Sequence, residues 1–264
     1  ENVAEDGTVT QLVDPETLQT VSIEGLRSVK CYGSSMTFKA KLEKVPGVHG
    51  VKTYVNRHSA DILYDPAKTN PEKIQEAIYQ PSKFRVNTPD HNAVDSLKVV
   101  TIRTEGMYDK LDINYLGMQM RLTGKKIYGL ETEFDCPLIV RVYMDPAEEL
   151  DKKWFKEIVE MEVLQMPVHG GGSKEIEVDY EFVKLEDEVS YIDSEEYVRK
   201  MFSPFKAQWK KRIEEAGENQ QYIYEIVNPN YEKPIYLRNM PYLSNHLSRH
   251  EGVIGVYLNL NKNL

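Results

Sequence analysis

Residues 31 to 66 leave the chain few folds to choose from. Cys31-Tyr32-Gly33-Ser34 precedes a segment, Met36 to Val45, that puts Phe38, Leu42 and Val45 at i, i+4 and i+7, one stripe of a short helix. Pro46-Gly47 ends it, since proline lacks the N–H a helix needs and glycine accepts the turn that follows. Val48 to Val51 leads into Lys52 to His58, and Ala60 to Tyr64 follows across a turn, the pattern of a β-hairpin closed by Asp65-Pro66. Upstream, Leu18 to Gly25 mixes β-branched and polar residues as a half-buried strand does. Downstream, Asn70-Pro71-Glu72 opens a second helix, because asparagine accepts from orphan N–H groups and proline at the first position sacrifices nothing. Ile74, Ala77 and Ile78 are its inward side, and Lys83 to Val86 supplies a last short strand. The order is β-α-β-β-α-β, followed by a polar linker, Asn87 to Asp95.

That order recurs. Val48-His-Gly-Val51 is echoed by Ile127-Tyr-Gly-Leu130 and Val253-Ile-Gly-Val256. The run Leu138 to Asp145-Pro146 matches the strand that ends at Asp65-Pro66, and a helix with Trp154, Phe155, Ile158 and Val159 on its apolar side follows. Three glycines in Val168-His-Gly-Gly-Gly-Ser173 read as a flexible joint, and with no Gly-Lys-Ser/Thr after them they do not read as a phosphate loop. Glu175 to Phe182 alternates acidic and apolar residues as a strand with one solvated face. Ser203-Pro204 starts a helix carrying Phe205, Trp209 and Ile213, and a third, incomplete copy runs from about Tyr222 to the last residue. The expected organisation is three units, 18–88, 96–168 and 174–264.

The Cys31-Tyr32-Gly33-Ser34 loop, Phe38, Leu42, Pro46-Gly47-Val48, Val51 and Tyr64-Asp65-Pro66 together resemble the heavy-metal-associated domain family. The resemblance covers about 65 residues. It implies an α+β fold of tandem ferredoxin-like βαββαβ units, antiparallel sheets with helices on one face. In that family a CxxC pair in the loop before the first helix carries a soft metal such as copper or mercury. Here Ser34 stands at the second cysteine position, so the pair is degenerate, and the other copies offer Lys110 and Ile113, or Tyr236 and Asn239. Cu(I) favours soft sulfur ligands, and a serine hydroxyl does not replace a thiolate.

The candidate metal ligands are therefore Cys31, Met36 and His49, with His58 or Cys31 of a second molecule as further donors, and the candidate ion is copper. The bland reading of Cys31 is a small residue left in a loop. Met107, Met118, Met120, Met144, Met161 and Met166 lie in segments whose periodicity already calls for core residues. His246 and His250 share one helix face at i and i+4, but Leu247 and the lack of a third ligand make them a surface pair. Two cysteines, Cys31 and Cys136, are too few for a disulfide scaffold or a four-thiolate zinc site, though they leave room for one disulfide.

Composition limits the partners. A net charge of −9 repels phosphate backbones, which argues against nucleic acid. No apolar run reaches the roughly 18 residues of a membrane span. Hydrophobic content of 41% with 28% charged residues and a mean hydropathy of −0.53 describes packed cores under a well-solvated surface. No nucleotide loop, catalytic triad or carboxylate pair stands out, so no enzyme is expected. The expectation is a non-catalytic binding protein that engages another protein, without a resident cofactor and as a candidate homodimer. A soft-metal carrier is the alternative. The acidic, unanchored start points to a periplasmic or cell-surface location.

Overall fold

The computed structural model describes residues 2–3, 9–10, 15–86, 94–167, 172–202, 246–247, 249–253 and 256. The helix expected over 203–217 and nearly all of the third copy lie outside the described residues. Contacts divide the chain into two units, 1–86 with 99–189 and 87–98 with 190–264.

Two short strands, β1 (Asn2–Val3) and β2 (Val9–Thr10), pair with each other. The first module follows as β3 (Gln19–Ile23), α1 (Tyr32–Leu42), β4 (Val48–Tyr54), β5 (Ser59–Tyr64) and α2 (Pro71–Ile78). Helix α1 begins four residues before the expected start, directly at the Cys31 cap, and Val45 packs just beyond its end. At α2 the side chain of Asn70 accepts from the Lys73 N–H at 2.9 Å, with Pro71 as the first helical residue. Strands β3, β5 and β4 form an antiparallel sheet in that order. Ile23, Leu26, Val29, Leu42, Ile62 and Ile74 fill the space between sheet and helices.

The second module repeats the pattern as β6 (Lys83–Arg85), β7 (Ser96–Glu105), α3 (Lys110–Leu122), β8 (Ile127–Glu133), β9 (Leu138–Met144) and α4 (Lys152–Val159). A hairpin of β10 (Val163–Pro167) and β11 (Ser173–Glu177) then leads to β12 (Glu181–Asp193) and α5 (Ser194–Phe202). The sheet order is β12-β7-β9-β8-β6. The fold is α+β, built of ferredoxin-like units in which β3–β5, β4–β5, β6–β8 and β8–β9 pair antiparallel. No described helix is long and apolar enough to cross a membrane.

Three expectations change. Strand β6, expected to complete the first sheet, pairs antiparallel with β8 from Lys83↔Glu131 to Arg85↔Gly129. Phe84 and Val86 join the second core, packed with residues such as Leu116 and Met120, and burial of that apolar surface outweighs pairing with the nearer strand. The continuous strand expected over Glu175–Phe182 breaks at Val178–Tyr180, where Val178 and Tyr180 turn into the core and the Val178 N–H donates to the Glu162 carbonyl at 2.9 Å. The sheet also runs across the expected division near residues 168–174, because β12 flanks β7; of the glycine joint, residues 168–171 lie outside the described residues. The methionines at 107, 120 and 144 are core residues, at 5%, 0% and 0% exposure, whereas Met161 is exposed.

Within the second unit, the Ser194 N–H donates to the Asp95 carbonyl at 2.9 Å, and Tyr197, Val198 and Met201 line the buried side of α5.

Candidate functional site

Cys31 is the N-cap of α1, in extended backbone at φ −156°, with its side chain exposed. Ser34, three residues on, completes a reciprocal cap: its N–H faces the thiol, and its hydroxyl oxygen accepts from the Lys30 N–H at 2.9 Å and the Cys31 N–H at 3.0 Å. The same hydroxyl lies 3.6 Å from Cys31 Sγ and 3.0 Å from the Cys31 carbonyl, so its proton goes to one of them. Hydrogen bonds from the Ser34 backbone and then its side chain hold the Cys31 thiol below the usual cysteine range. A helix N-terminus acts in the same direction. Tyr32, at 80% exposure, and Met36, at 46%, stand open beside it.

The loop is braced from behind. His58, in left-handed backbone at φ 49°, accepts the Leu26 N–H on its carbonyl at 2.7 Å. Its Nδ1 lies 3.1 Å from the Val29 carbonyl oxygen, which accepts only, so Nδ1 carries the proton. His58 thus shapes the loop, a role the sequence did not reveal. His49 lies exposed on β4. Among the described residues no three His, Cys, Asp or Glu side chains come together in a way that could hold a metal ion, and neither histidine joins Cys31 in such a set.

The second module uses the same positions differently. Asp109 caps α3 and Asp112 is its third residue, so Asp109 and Asp112 correspond to Cys31 and Ser34. This corrects the placement of Lys110 and Ile113 there, and the signal was available in the Asp-x-x-Asp spacing at a helix start. Asp112, with 0% exposure, accepts the Tyr108 and Asp109 N–H groups on Oδ2 at 2.8 and 2.9 Å, and the Tyr180 hydroxyl on Oδ1 at 2.9 Å. Asp109 Oδ2 accepts the N–H of Ser28 at 2.9 Å, and Arg27 Nε lies 3.4 Å from Asp112 Oδ1. The Arg27 guanidinium also sits over the rings of Tyr115 and Tyr180, at 5.7 and 5.9 Å from their centroids. Two acidic positions of the second module therefore clasp the stretch leading to Cys31, and Tyr108 enters the first module's core.

Cys136, the other thiol, takes no part in the capping of either helix. It faces a cavity of about 180 Å³ lined by residues including Tyr79, Tyr108 and Phe134, with Sγ 3.5 Å from Gln75 Oε1. Burial, then nearby Glu72 and Asp135, pushes its thiol up, so the two cysteines are tuned in opposite directions. Both are free. At neutral pH, Cys31 should be alkylated by iodoacetamide about five to ten times faster than Cys136, and Ser34→Ala should slow only Cys31. Mass spectrometry of the labelled peptides reads both rates, and equal rates would contradict the assignment. His246 and His250 pack edge to face with centroids 5.7 Å apart, and no third described ligand joins them.

Residues 13–84 match the model of the heavy-metal-associated domain. Copper-transporting ATPase 1 of Mus musculus is 37% identical over 59 residues, which is 22% of this chain and 4% of the ATPase. The Rattus norvegicus protein of the same name is 34% identical over 59 residues, with the same coverage. The chain thus spans about 4% of the length of these curated relatives. Among solved structures, the N-terminal soluble domains of Bacillus subtilis CopA align at 20% identity over 65% of this chain and 95% of that one, with a TM-score of 0.23. Residues 13–84 therefore carry a heavy-metal-associated domain, a metal-binding type of domain.

Proposed function

We propose that this chain is a non-catalytic binding protein in which the metal loop of a heavy-metal-associated domain has become a recognition surface for another protein. One observation carries the reading: the second ligand position holds Ser34, whose oxygen already accepts two backbone N–H groups. At the matching positions of the second module, Asp109 and Asp112 are occupied in holding Ser28 and Arg27. Neither loop retains a pair of soft donors. What stays open around Cys31 is Tyr32 and Met36, an aromatic ring and a thioether of the kind enriched at binding surfaces.

A second reading, a soft-metal carrier, is favoured by the exposed, thiolate-biased Cys31, which supplies one sulfur ligand and leaves the second to a partner or another copy. Titration of Cu(I) against a competing chelator, on the native protein and Cys31→Ala, separates the two. Weak binding that the substitution leaves unchanged is the expected result. Tight binding lost in Cys31→Ala would replace the first reading with the second.

A further inference from the structure

The cavity beside Cys136 lies within one unit, residues 1–86 with 99–189, between α2, the end of β7 with the loop after it, and the turn from β8 to β9. The rings of Tyr79, Tyr108 and Phe134 share its wall with the carboxylates of Glu105 and Asp135, and the residues that line it include no Lys, Arg or His.

The wall is held in place by its own bonds. Tyr79 donates its hydroxyl proton to Thr132 Oγ1 at 2.6 Å, and its ring packs against Phe134 with centroids 5.6 Å apart. Asp135 accepts the Cys136 N–H on Oδ1 at 2.9 Å and pairs with Arg103 through Oδ2. The Tyr108 N–H donates to Asp112 Oδ2, and the Tyr108 carbonyl accepts the Gln80 N–H at 3.2 Å. A ligand that enters therefore has little left to order.

The charge around the cavity is one-sided. Arg103 offsets Asp135, whereas Glu72, Glu76 and Glu105 are exposed and form no ion pair among the described residues. Burial, then Glu72, Asp135, Glu105 and Glu76, push the Cys136 thiol up, so it stays protonated at neutral pH while the carboxylates keep their charge. That disfavours a soft metal ion, which takes a thiolate. It suits a cation that needs none, since aromatic rings attract positive charge and a cleft of one sign concentrates it. The volume, about 180 Å³, is far more than a bare ion fills and is close to the roughly 150 Å³ that holds a benzene-sized molecule.

We infer that this cavity binds a small organic ammonium ion, such as a methylated amine, with the rings of Tyr79, Tyr108 and Phe134 against its alkyl groups and Glu105 as its counter-charge.

The test is a titration of the full chain in which sodium is exchanged for tetramethylammonium at constant ionic strength, followed by amide chemical shifts. Signals of residues 104–108 and 134–136 should move and saturate, while those around Cys31 stay in place. The expected Kd is on the order of 1 mM, as a few cation–aromatic contacts would give. tert-Butanol matches the ion in shape without its charge and should bind about ten-fold more weakly. Glu105→Gln, at an exposed position, and Phe134→Leu should each weaken ammonium binding about three- to ten-fold. The absence of a saturable shift at these amides overturns the proposal. Equal binding of tert-butanol does the same, because the cavity would then be a plain apolar hollow, and so does ammonium binding that either substitution leaves unchanged. Should Phe134→Leu disturb the circular dichroism, Glu105→Gln decides.

Discussion

Asp112→Ala is expected to lower the unfolding free energy by about 3–5 kcal/mol, the range for removing one partner of a buried charge pair. The carboxylate is fully buried and accepts from two backbone N–H groups and the Tyr180 hydroxyl. Alanine would leave those donors unpaired and Arg27 without its counter-charge. The damage should extend to the loop before Cys31, since Arg27 and Ser28 are the residues held by Asp112 and Asp109. Urea unfolding measures the first effect, and amide exchange of residues 26–31 the second. Rapid exchange there in Asp112→Ala, with Tyr180→Phe showing a smaller change, is the expected pattern.

The same carboxyl group makes a prediction about pH. Burial, reinforced by Asp109, pushes Asp112 up to about 6 from an unfolded value near 3.8, while bonds from the Asp109 and Tyr108 N–H groups and Tyr180 pull the other way. Between those values the folded form holds more protons than the unfolded form, so this group's contribution to stability falls as pH rises from about 4 to 6 and levels off above 6. The drop is at most about 3 kcal/mol, since one pKa unit corresponds to about 1.4 kcal/mol, and Arg27 beside the carboxylate reduces it. Asp112→Asn removes the titration, and the difference between native and variant unfolding curves at pH 4, 5, 6 and 7 isolates it from the other carboxylates. A difference independent of pH would refute the assignment.

Gly117→Ala should have the second largest effect. A Cβ there would clash with the side of the Phe84 ring that carries Cδ1, 2.7 Å from Cγ, on a helix whose backbone is held by a capped start. Alanine gains about 1 kcal/mol of helix propensity over glycine. Overpacking costs about 1–3 kcal/mol and, here, also loosens the three-residue strand β6 that Phe84 anchors against β8. The clash should win, giving a net loss of about 2 kcal/mol and a fall in Tm of about 4–8 °C at this size. Phe84→Ala in the same chain removes the clash, so the double variant should be more stable than the sum of the single losses implies. Additive losses in thermal unfolding would show that the ring moves aside freely.

Much of the first module was legible locally. Asn70-Pro71 and Asp65-Pro66 act through their own backbone chemistry and started or ended an element where expected, whereas α1 stops at Leu42, three residues short of the Val45 expected before Pro46-Gly47. Phe38 and Leu42 faced the core because helical periodicity leaves them nowhere else to go, and Val45 packs there from beyond the helix end. The candidate ligands were less legible. Cys31 was singled out by the resemblance of its loop to the family's CxxC layout, but His58 was not recognisable as the loop's brace, since its role depends on a carbonyl 29 residues away in the sequence.

What the sequence by itself determined about this protein was therefore the kind and order of most of its local elements, and a loop that carries a single thiol. Only the tertiary structure decided which sheet receives Lys83–Arg85, and that Asp109 and Asp112 hold the stretch before Cys31. Periodicity specifies which face of a strand is buried but not which neighbouring strand it joins. That choice rests on the fit of Phe84 over Gly117, residues 33 positions apart, and on a carboxylate whose partners come from both modules.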